Sequence, residues 1–220
     1  MNMKMILPAL LALALVPATG QATILFDYGL CNPSDGCDQS VNFSPANSGT
    51  TVVGDTNPPL PLYDVFAQSL VGTTTLHGSG STVDTGVGGP GITSIQFWPE
   101  AGYAWGAFEF QLDSANGAQT LGTAGLTFTV FDGDGTPFVF LANFPWEGNN
   151  GENQHYHFHA TNGEVIALVR IDYSDPLGQG NTISDIHNID VNTRLVPEPS
   201  TVALLAIGLI SLGWIRRKRG

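Results

Sequence analysis

Short runs of β-branched and aromatic residues alternate with polar residues along most of the chain, between clusters of Gly, Asn, Asp and Pro. No part of residues 23–195 keeps a 3.6-residue apolar period, so the pattern predicts strands rather than helices. The expected strands are Thr23–Tyr28, Leu62–Val71, Ile92–Trp98, Tyr103–Leu112, Leu126–Asp132, Pro137–Ala142, Gln154–Ala160, Glu164–Tyr173 and Ile183–Val191. Such a series predicts an all-β fold, a single jelly-roll-like β-sandwich.

The strand that begins at Tyr103 shows the alternation most clearly. Phe108, Phe110 and Leu112 are expected on one face, which points into the core. Trp105 and Glu109 are expected on the opposite face. Asp132–Gly135 reads as a hairpin turn, since glycine supplies positive φ and aspartate caps the turn. Residues 72–91, rich in Gly, Thr and Ser, are expected to form an exposed connection.

The N-terminus has the pattern of a secretory signal. Lys4 precedes an apolar run from Ile6 to Val16, and small residues follow up to Ala22. Signal peptidase accepts small side chains at positions one and three before the cut, so residues 1–22 are predicted to be a cleaved signal peptide. An uncleaved membrane anchor is the alternative, but the apolar run is short for a bilayer core of about 30 Å.

The C-terminus, residues 196–220, has three parts. A proline-rich segment is followed by an uncharged run, Thr201 to Ile215, which as a helix would span about 23 Å and cross a locally thinned bilayer. A basic stop should remain cytoplasmic under the positive-inside rule, leaving residues 23–195 outside the cytoplasm. The stop consists of Arg216, Arg217, Lys218 and Arg219.

This tail resembles the PEP-CTERM sorting signal of Gram-negative bacteria, on the motif Pro197, Glu198 and Pro199, the helix and the basic stop. The resemblance implies an inner-membrane precursor with its body in the periplasm, processed by an exosortase and released to the cell surface or beyond it. The family is associated with biofilm and extracellular polysaccharide. A plain C-terminal anchor on a proline-rich stalk would share this topology and differ only in keeping its tail.

The body also resembles many PEP-CTERM ectodomains, which are similar to carbohydrate-binding β-sandwiches. The matching segments are Trp105-Gly106-Ala107-Phe108-Glu109-Phe110, Phe128-Thr129-Val130-Phe131-Asp132-Gly133-Asp134-Gly135, Val169-Arg170-Ile171-Asp172-Tyr173 and Ile186-His187-Asn188-Ile189-Asp190-Val191. These segments are mostly strands and turns, so they bear on the fold more than on the function.

Charge is distributed unevenly along the chain. The whole sequence has 19 acidic and 7 basic residues, a net charge of −12. Residues 23–195 contain only two of those basic residues, Arg170 and Arg194, and no lysine. A body this acidic lacks the basic surface that phosphate backbones need, so nucleic-acid binding is excluded as an expected function. Phosphoryl transfer is not expected either, because it needs cationic side chains around the phosphate and this segment has only two.

Cys31 and Cys37 are the two cysteines of the chain. In an oxidising compartment a pair that closes a short loop is predicted to form a disulfide, and Pro33 and Gly36 would let the chain turn back. A metal site built on the two thiols lacks further ligands nearby in the sequence.

His155, His157 and His159 alternate along one predicted strand, so their side chains share a face. This spacing can present imidazoles to a Zn, Cu or Ni ion, completed by Glu147 or Glu152. The competing interpretation places them on a solvent face, opposite core residues. A structural Ca²⁺ is a further alternative, either at Asp132 and Asp134 or between Asp27 and Asp190.

The motif of a serine hydrolase elbow, a zincin or a phosphate-binding loop does not occur in the sequence. Trp146, in a polar loop, is the predicted ligand contact, because a flat apolar ring suits a sugar face. We therefore predict a non-enzymatic matrix or adhesion component that binds polysaccharide. A secreted glycan-active enzyme that uses a carboxylate pair is the first alternative, and a metal-binding surface module is the second.

Overall fold

The computed structural model describes residues 23–31, 36–57, 62–86, 89–114, 125–142, 154–174 and 182–196, and within these ranges every regular element is a strand. The predicted all-β fold is confirmed. The strands are β1 (Thr23–Tyr28), β2 (Gln39–Phe43), β3 (Ser48–Gly49), β4 (Thr51–Thr56), β5 (Asp64–Ser69), β6 (Leu76–Ser79), β7 (Thr82–Asp84), β8 (Ser94–Pro99), β9 (Tyr103–Ser114), β10 (Gly125–Asp132), β11 (Pro137–Ala142), β12 (Gln154–Thr161), β13 (Ile166–Ser174) and β14 (Ile183–Leu195).

Seven strands pair into an antiparallel barrel in the order β9, β14, β2, β4, β5, β8 and β13, which returns to β9. One pair, Trp105 opposite Ile166, closes the ring. Alternate residues such as Val41, Val65 and Phe97 fill the interior and are fully buried. The described residues therefore form a barrel with flanking strands instead of the expected jelly-roll sandwich.

The remaining strands extend the barrel at three places. β12 and β1 continue beyond β9, β10 and β11 lie beyond β13, and β7, β6 and β3 continue beyond β14. The first two extensions meet across an aromatic cluster, with ring centroids of Phe26 and Phe140 5.6 Å apart and those of Phe128 and Tyr156 5.0 Å apart. These contacts give the outer strands a core of their own.

The central strand β9 is buried from Ala104 to Leu112, including both of its faces. In β14, Asn192 lies opposite Ala107 and Thr193 lies opposite Trp105, so Gly106 is an extra residue in the ladder. This bulge turns Trp105 to the side of Phe108, with ring centroids 4.7 Å apart. The expectation that Trp105 shares a face with Glu109 is therefore wrong.

The sequence pattern missed two short-stranded regions. β2, β3 and β4 lie in residues 39–56, and β6 and β7 lie within residues 72–91, where an exposed connection was expected. Leu76 and Val83 of that second region are fully buried. Gly54 and Gly78 explain part of the error, because a Cβ on either would come within 3.0 Å of the Phe43 side chain. These glycines permit close packing inside strands instead of marking loops.

Candidate functional site

All five histidines of the chain lie on one outer sheet face. Directly paired residues of neighbouring strands point to the same side, so the register defines rows across β1, β12, β9, β14, β7 and β6. We call this surface the His–carboxylate face. Its rows are Asp27–His157–Glu109–Asp190, His155–Gln111–His187 and Asp113–Asp185–Asp84–His77, with His159 opposite Leu25 and Ala107.

Glu109 lies near the centre of this face and is 3% exposed. Its Oε2 accepts a hydrogen bond from the backbone N–H of Cys31 at 2.6 Å, and its Oε1 lies 2.5 Å from Nδ1 of His155. A buried carboxylate costs free energy unless it is paired and hydrogen-bonded. The hydrogen bond from the Cys31 N–H therefore offsets part of the cost of burying the Glu109 carboxylate.

Cys31 and Cys37 form a disulfide, with their Cα atoms 5.9 Å apart. Both sulfur atoms and a ring nitrogen of His157 lie within 4.8 Å of one another, so the disulfide covers His157, which is 3% exposed. Sequence reasoning found no third ligand near the cysteines, because His157 is distant along the chain. A disulfide sulfur is not the thiolate that binds metal.

The three histidines of β12 share a face, as the spacing predicts, and Tyr156 and Phe158 fill the core on the other side. Their environments differ. His155 contacts Glu109 and Gln111, His157 lies under the disulfide, and Nδ1 of His159 is 3.9 Å from Asp27. The three do not form a convergent donor group within the described ranges. A metal ion shared by all three stays a prediction.

The turn interpretation of Asp132–Gly135 is confirmed. Oδ1 of Asp132 accepts hydrogen bonds from the backbone N–H of Asp134 at 3.0 Å and of Thr136 at 2.7 Å. The other expected Ca²⁺ pair does not meet. Asp27 and Asp190 lie in one row but β12 and β9 separate them, which places their strands about 14 Å apart.

At the far end of the His–carboxylate face, Asp113, Asp185 and His187 bring one donor atom each within 4.8 Å of the others. Burial raises the pKa of Asp185, and the nearby charge of Asp113 raises it further. Sequence reasoning missed this cluster. The spacing of Asp185 and His187 shows that they share a face, but the pairing of β14 with β9 carries no local signal.

A second outer surface spans six strands, β4, β5, β8, β13, β10 and β11, and we call it the Trp–Gln face. One row is apolar, and an adjacent row carries amide, guanidinium and hydroxyl groups. At the usual strand spacing each row is about 24 Å long. The apolar row consists of two paired runs, Val53–Phe66–Trp98 and Leu168–Phe131–Pro137, which lie one residue beyond the Phe97–Val169 pair of β8 and β13. The polar row is Thr51–Gln68–Gln96–Arg170–Thr129 and ends at Val139.

The side chains at the centre of the Trp–Gln face are held in place. Phe66 and Trp98 stack with centroids 5.4 Å apart and an angle of 14° between their planes, and both are half-buried. Nε2 of Gln96 donates to Oε1 of Gln68 at 2.9 Å. Nε of Arg170 lies 2.7 Å from Oδ2 of Asp172, and this ion pair balances the charge of the guanidinium group.

Several predicted site residues lie outside the described residues. These are the signal peptide 1–22, Trp146, the expected additional metal ligands Glu147 and Glu152, the motif Pro197, Glu198 and Pro199, the helix 201–215 and the basic stop Arg216–Arg219. The described part of the chain includes no helix with the length and apolar character needed to cross a membrane.

A family model described as the PEP-CTERM protein-sorting motif matches residues 195–218. The chain thus carries the sorting signal that marks an exosortase substrate. Proteins with this signal are exported and sorted to the cell surface, and the motif implies processing by an exosortase.

No curated protein matches the chain. Among solved structures, a similarity is found to the enzymatically active domain of tailspike protein 4 of bacteriophage CBA120, with a TM-score of 0.26 and 11% sequence identity. It covers 80% of this chain and 20% of the tailspike chain. A similarity at this level carries no argument about fold or function.

Proposed function

We propose that this exported protein is a non-enzymatic matrix or adhesion component that binds polysaccharide on the Trp–Gln face. The observation that carries the proposal is the register of the six strands, which sets a half-exposed aromatic and apolar row beside a row of hydrogen-bonding side chains. Sugar rings present apolar C–H faces and hydroxyl edges, so they need both kinds of surface side by side.

The aromatic pair provides the stacking platform. Phe66 and Trp98 are fixed against each other, so little side-chain entropy is lost when a sugar ring covers them. Trp98 contributes a large flat contact area together with an indole N–H, a combination enriched in binding surfaces. This platform takes the role that Trp146 has in the sequence-based prediction.

The amide pair provides directional bonds. The bond between Gln96 Nε2 and Gln68 Oε1 does not use the N–H groups of Gln68 or the carbonyl oxygen of Gln96. A donor and an acceptor held next to each other match two neighbouring hydroxyl groups of a sugar. A row about 24 Å long suits an extended oligosaccharide better than a single sugar.

Charge favours a neutral polysaccharide. Residues 23–195 have 18 acidic residues and two arginines, so an anionic chain would be repelled. Arg170 is the cation of the Trp–Gln face, and it is already paired with Asp172. We therefore expect neutral glucans to bind and alginate-like acidic chains to bind weakly or not at all.

Affinity electrophoresis and calorimetry with the purified full-length chain, on neutral and acidic polysaccharides, test the proposal. Trp98→Ala should weaken neutral-glycan binding about tenfold or more, since truncation of a central Trp contact typically costs about 2 kcal/mol. Tyr28→Ala is the matched control, because Tyr28 is also aromatic and 51% exposed but lies on β1. Unchanged binding in Trp98→Ala would refute the proposed surface. Release of reducing ends from any glycan would refute the non-enzymatic role.

A further inference from the structure

We infer that Asp113, Asp185 and His187 form a binding site for one divalent transition-metal ion, of which Zn²⁺ is the best fit. The site lies at the end of the β9–β14 ladder that contains the C-terminus of β9, where Asp113 and Asp185 lie directly opposite each other. His187 follows Asp185 by two residues in β14 and therefore points to the same side. The inference does not depend on polysaccharide binding.

The donor atoms are already close to ligand spacing. One atom from each residue lies within 4.8 Å of the other two, and Nε2 of His187 is 3.7 Å from Oδ1 of Asp113. Two ligands that share a zinc ion at about 2.1 Å lie about 3.0–3.4 Å apart. A movement of a few tenths of an ångström would bring this pair to that spacing.

The buried Nε2 of the His187 imidazole lacks a hydrogen bond within the part of the chain that the structure describes. Nε2 of His187 is buried from solvent and makes no hydrogen bond to the described residues, and its separation from Asp113 is too long for one. Buried polar atoms nearly always have a partner. A metal ion between His187 and the two carboxylates would provide that partner.

The concentration of negative charge at this site also favours binding of a cation. Asp113, Asp185 and Asp84 lie in one cross-strand row, so three carboxylates face the same side of the sheet. Both arginines in the described ranges are engaged elsewhere, Arg170 with Asp172 and Arg194 with the carbonyl of Glu164. Like charges placed side by side cost free energy, which a divalent ion would relieve.

The donor set selects the class of metal. Imidazole with carboxylate suits Zn²⁺ and other transition ions, whereas Ca²⁺ and Mg²⁺ prefer all-oxygen ligands. Three protein ligands leave room for water in the remaining position. This site is distinct from the three histidines of β12.

Calorimetric titration of the EDTA-treated full-length chain with Zn²⁺ tests the inference. His187→Gln and Asp113→Asn should each raise the Kd about tenfold or more, while His159→Gln, an imidazole on the same face, should leave it unchanged. Asp113 has a side chain that is 41% exposed, so Asp113→Asn keeps the test valid if His187→Gln fails to fold. Circular dichroism checks folding of each variant.

Titration with Co²⁺ gives a second readout, because its visible spectrum reports imidazole and carboxylate coordination directly. The wild-type chain should develop the bands of a bound ion, and His187→Gln should lose or shift them. Wild-type Zn²⁺ affinity in both ligand variants would overturn the inference. So would a loss in His159→Gln equal to that in His187→Gln, or tighter binding of Ca²⁺ than of Zn²⁺.

Discussion

The two outer faces of the protein are built by the same rule of cross-strand rows but differ in chemistry. The His–carboxylate face holds all five histidines and a row of three aspartates. The Trp–Gln face holds stacked aromatic rings, hydrogen-bonded amides and one internally balanced ion pair. The apolar and polar rows of the Trp–Gln face contain no carboxylate of their own, while Asp55, Asp64 and Glu100 continue beside the apolar row. The rows therefore suit a neutral ligand, and the acidic border disfavours an anionic one.

The two faces also differ in how they are covered. The disulfide and the chain beside it bury Glu109 and His157 at the centre of the His–carboxylate face. On the Trp–Gln face, Phe66, Trp98, Gln68 and Gln96 are half-buried by their neighbours in the sheet, and Arg170, Pro137 and Val139 are exposed. Substitutions at the covered centre should therefore change stability, whereas those on the Trp–Gln face should change binding.

The largest stability difference is expected at Glu109. Glu109→Ala removes the acceptor of the Cys31 N–H and the partner of His155 inside a covered site, and should lower the free energy of unfolding by about 3 kcal/mol. Gln68→Ala on the Trp–Gln face removes one half-exposed hydrogen bond between side-chain amides. It should lower the free energy of unfolding by about 1 kcal/mol or less. Urea denaturation measures both. Equal losses would contradict the contrast between the faces.

The disulfide should contribute the next largest effect. Cys31→Ser combined with Cys37→Ser opens a loop whose ends are 6 residues apart and should lower the free energy of unfolding by about 2 kcal/mol. The same change should expose His157 to modification by diethylpyrocarbonate, since the sulfur atoms cover it. If His157 remains as protected as in the wild-type chain, the disulfide is not its cover.

A smaller, pH-dependent effect is expected at Asp185 in the metal-free chain. Burial, and then the charge of Asp113, raise its pKa, while His187 and Ser184 act in the opposite direction. The folded state then binds this proton more tightly than the unfolded chain does, so stability falls as pH rises from about 4 through the raised pKa. Asp185→Asn should therefore be more stable than the wild-type chain at pH 7.

That gain should disappear below about pH 4, where the aspartate is protonated in both states. Thermal melts across pH in EDTA measure it, with Asp134→Asn as the control, since Asp134 is exposed in the β10–β11 turn. A gain that persists unchanged at low pH would show that burial of the charge is not its cause.

The strands whose alternation is regular, such as β10 and β12, could be predicted from sequence, and so could the shared face of the three histidines. Barrel closure could not, because it depends on one pair, Trp105 and Ile166, that are distant in the chain. The cover over His157 and the meeting of Asp113 with His187 are likewise results of long-range pairing. The bulge at Gly106 reverses the face of Trp105, which a period of two cannot anticipate.

The most direct measurement is a crossed titration of Trp98→Ala and His187→Gln, each tested for binding of a neutral polysaccharide in EDTA and for binding of Zn²⁺. Trp98→Ala should lose the polysaccharide and keep wild-type Zn²⁺ affinity, while His187→Gln should keep the polysaccharide and lose Zn²⁺. Wild-type polysaccharide affinity in Trp98→Ala would mean that the Trp–Gln face is not the binding surface.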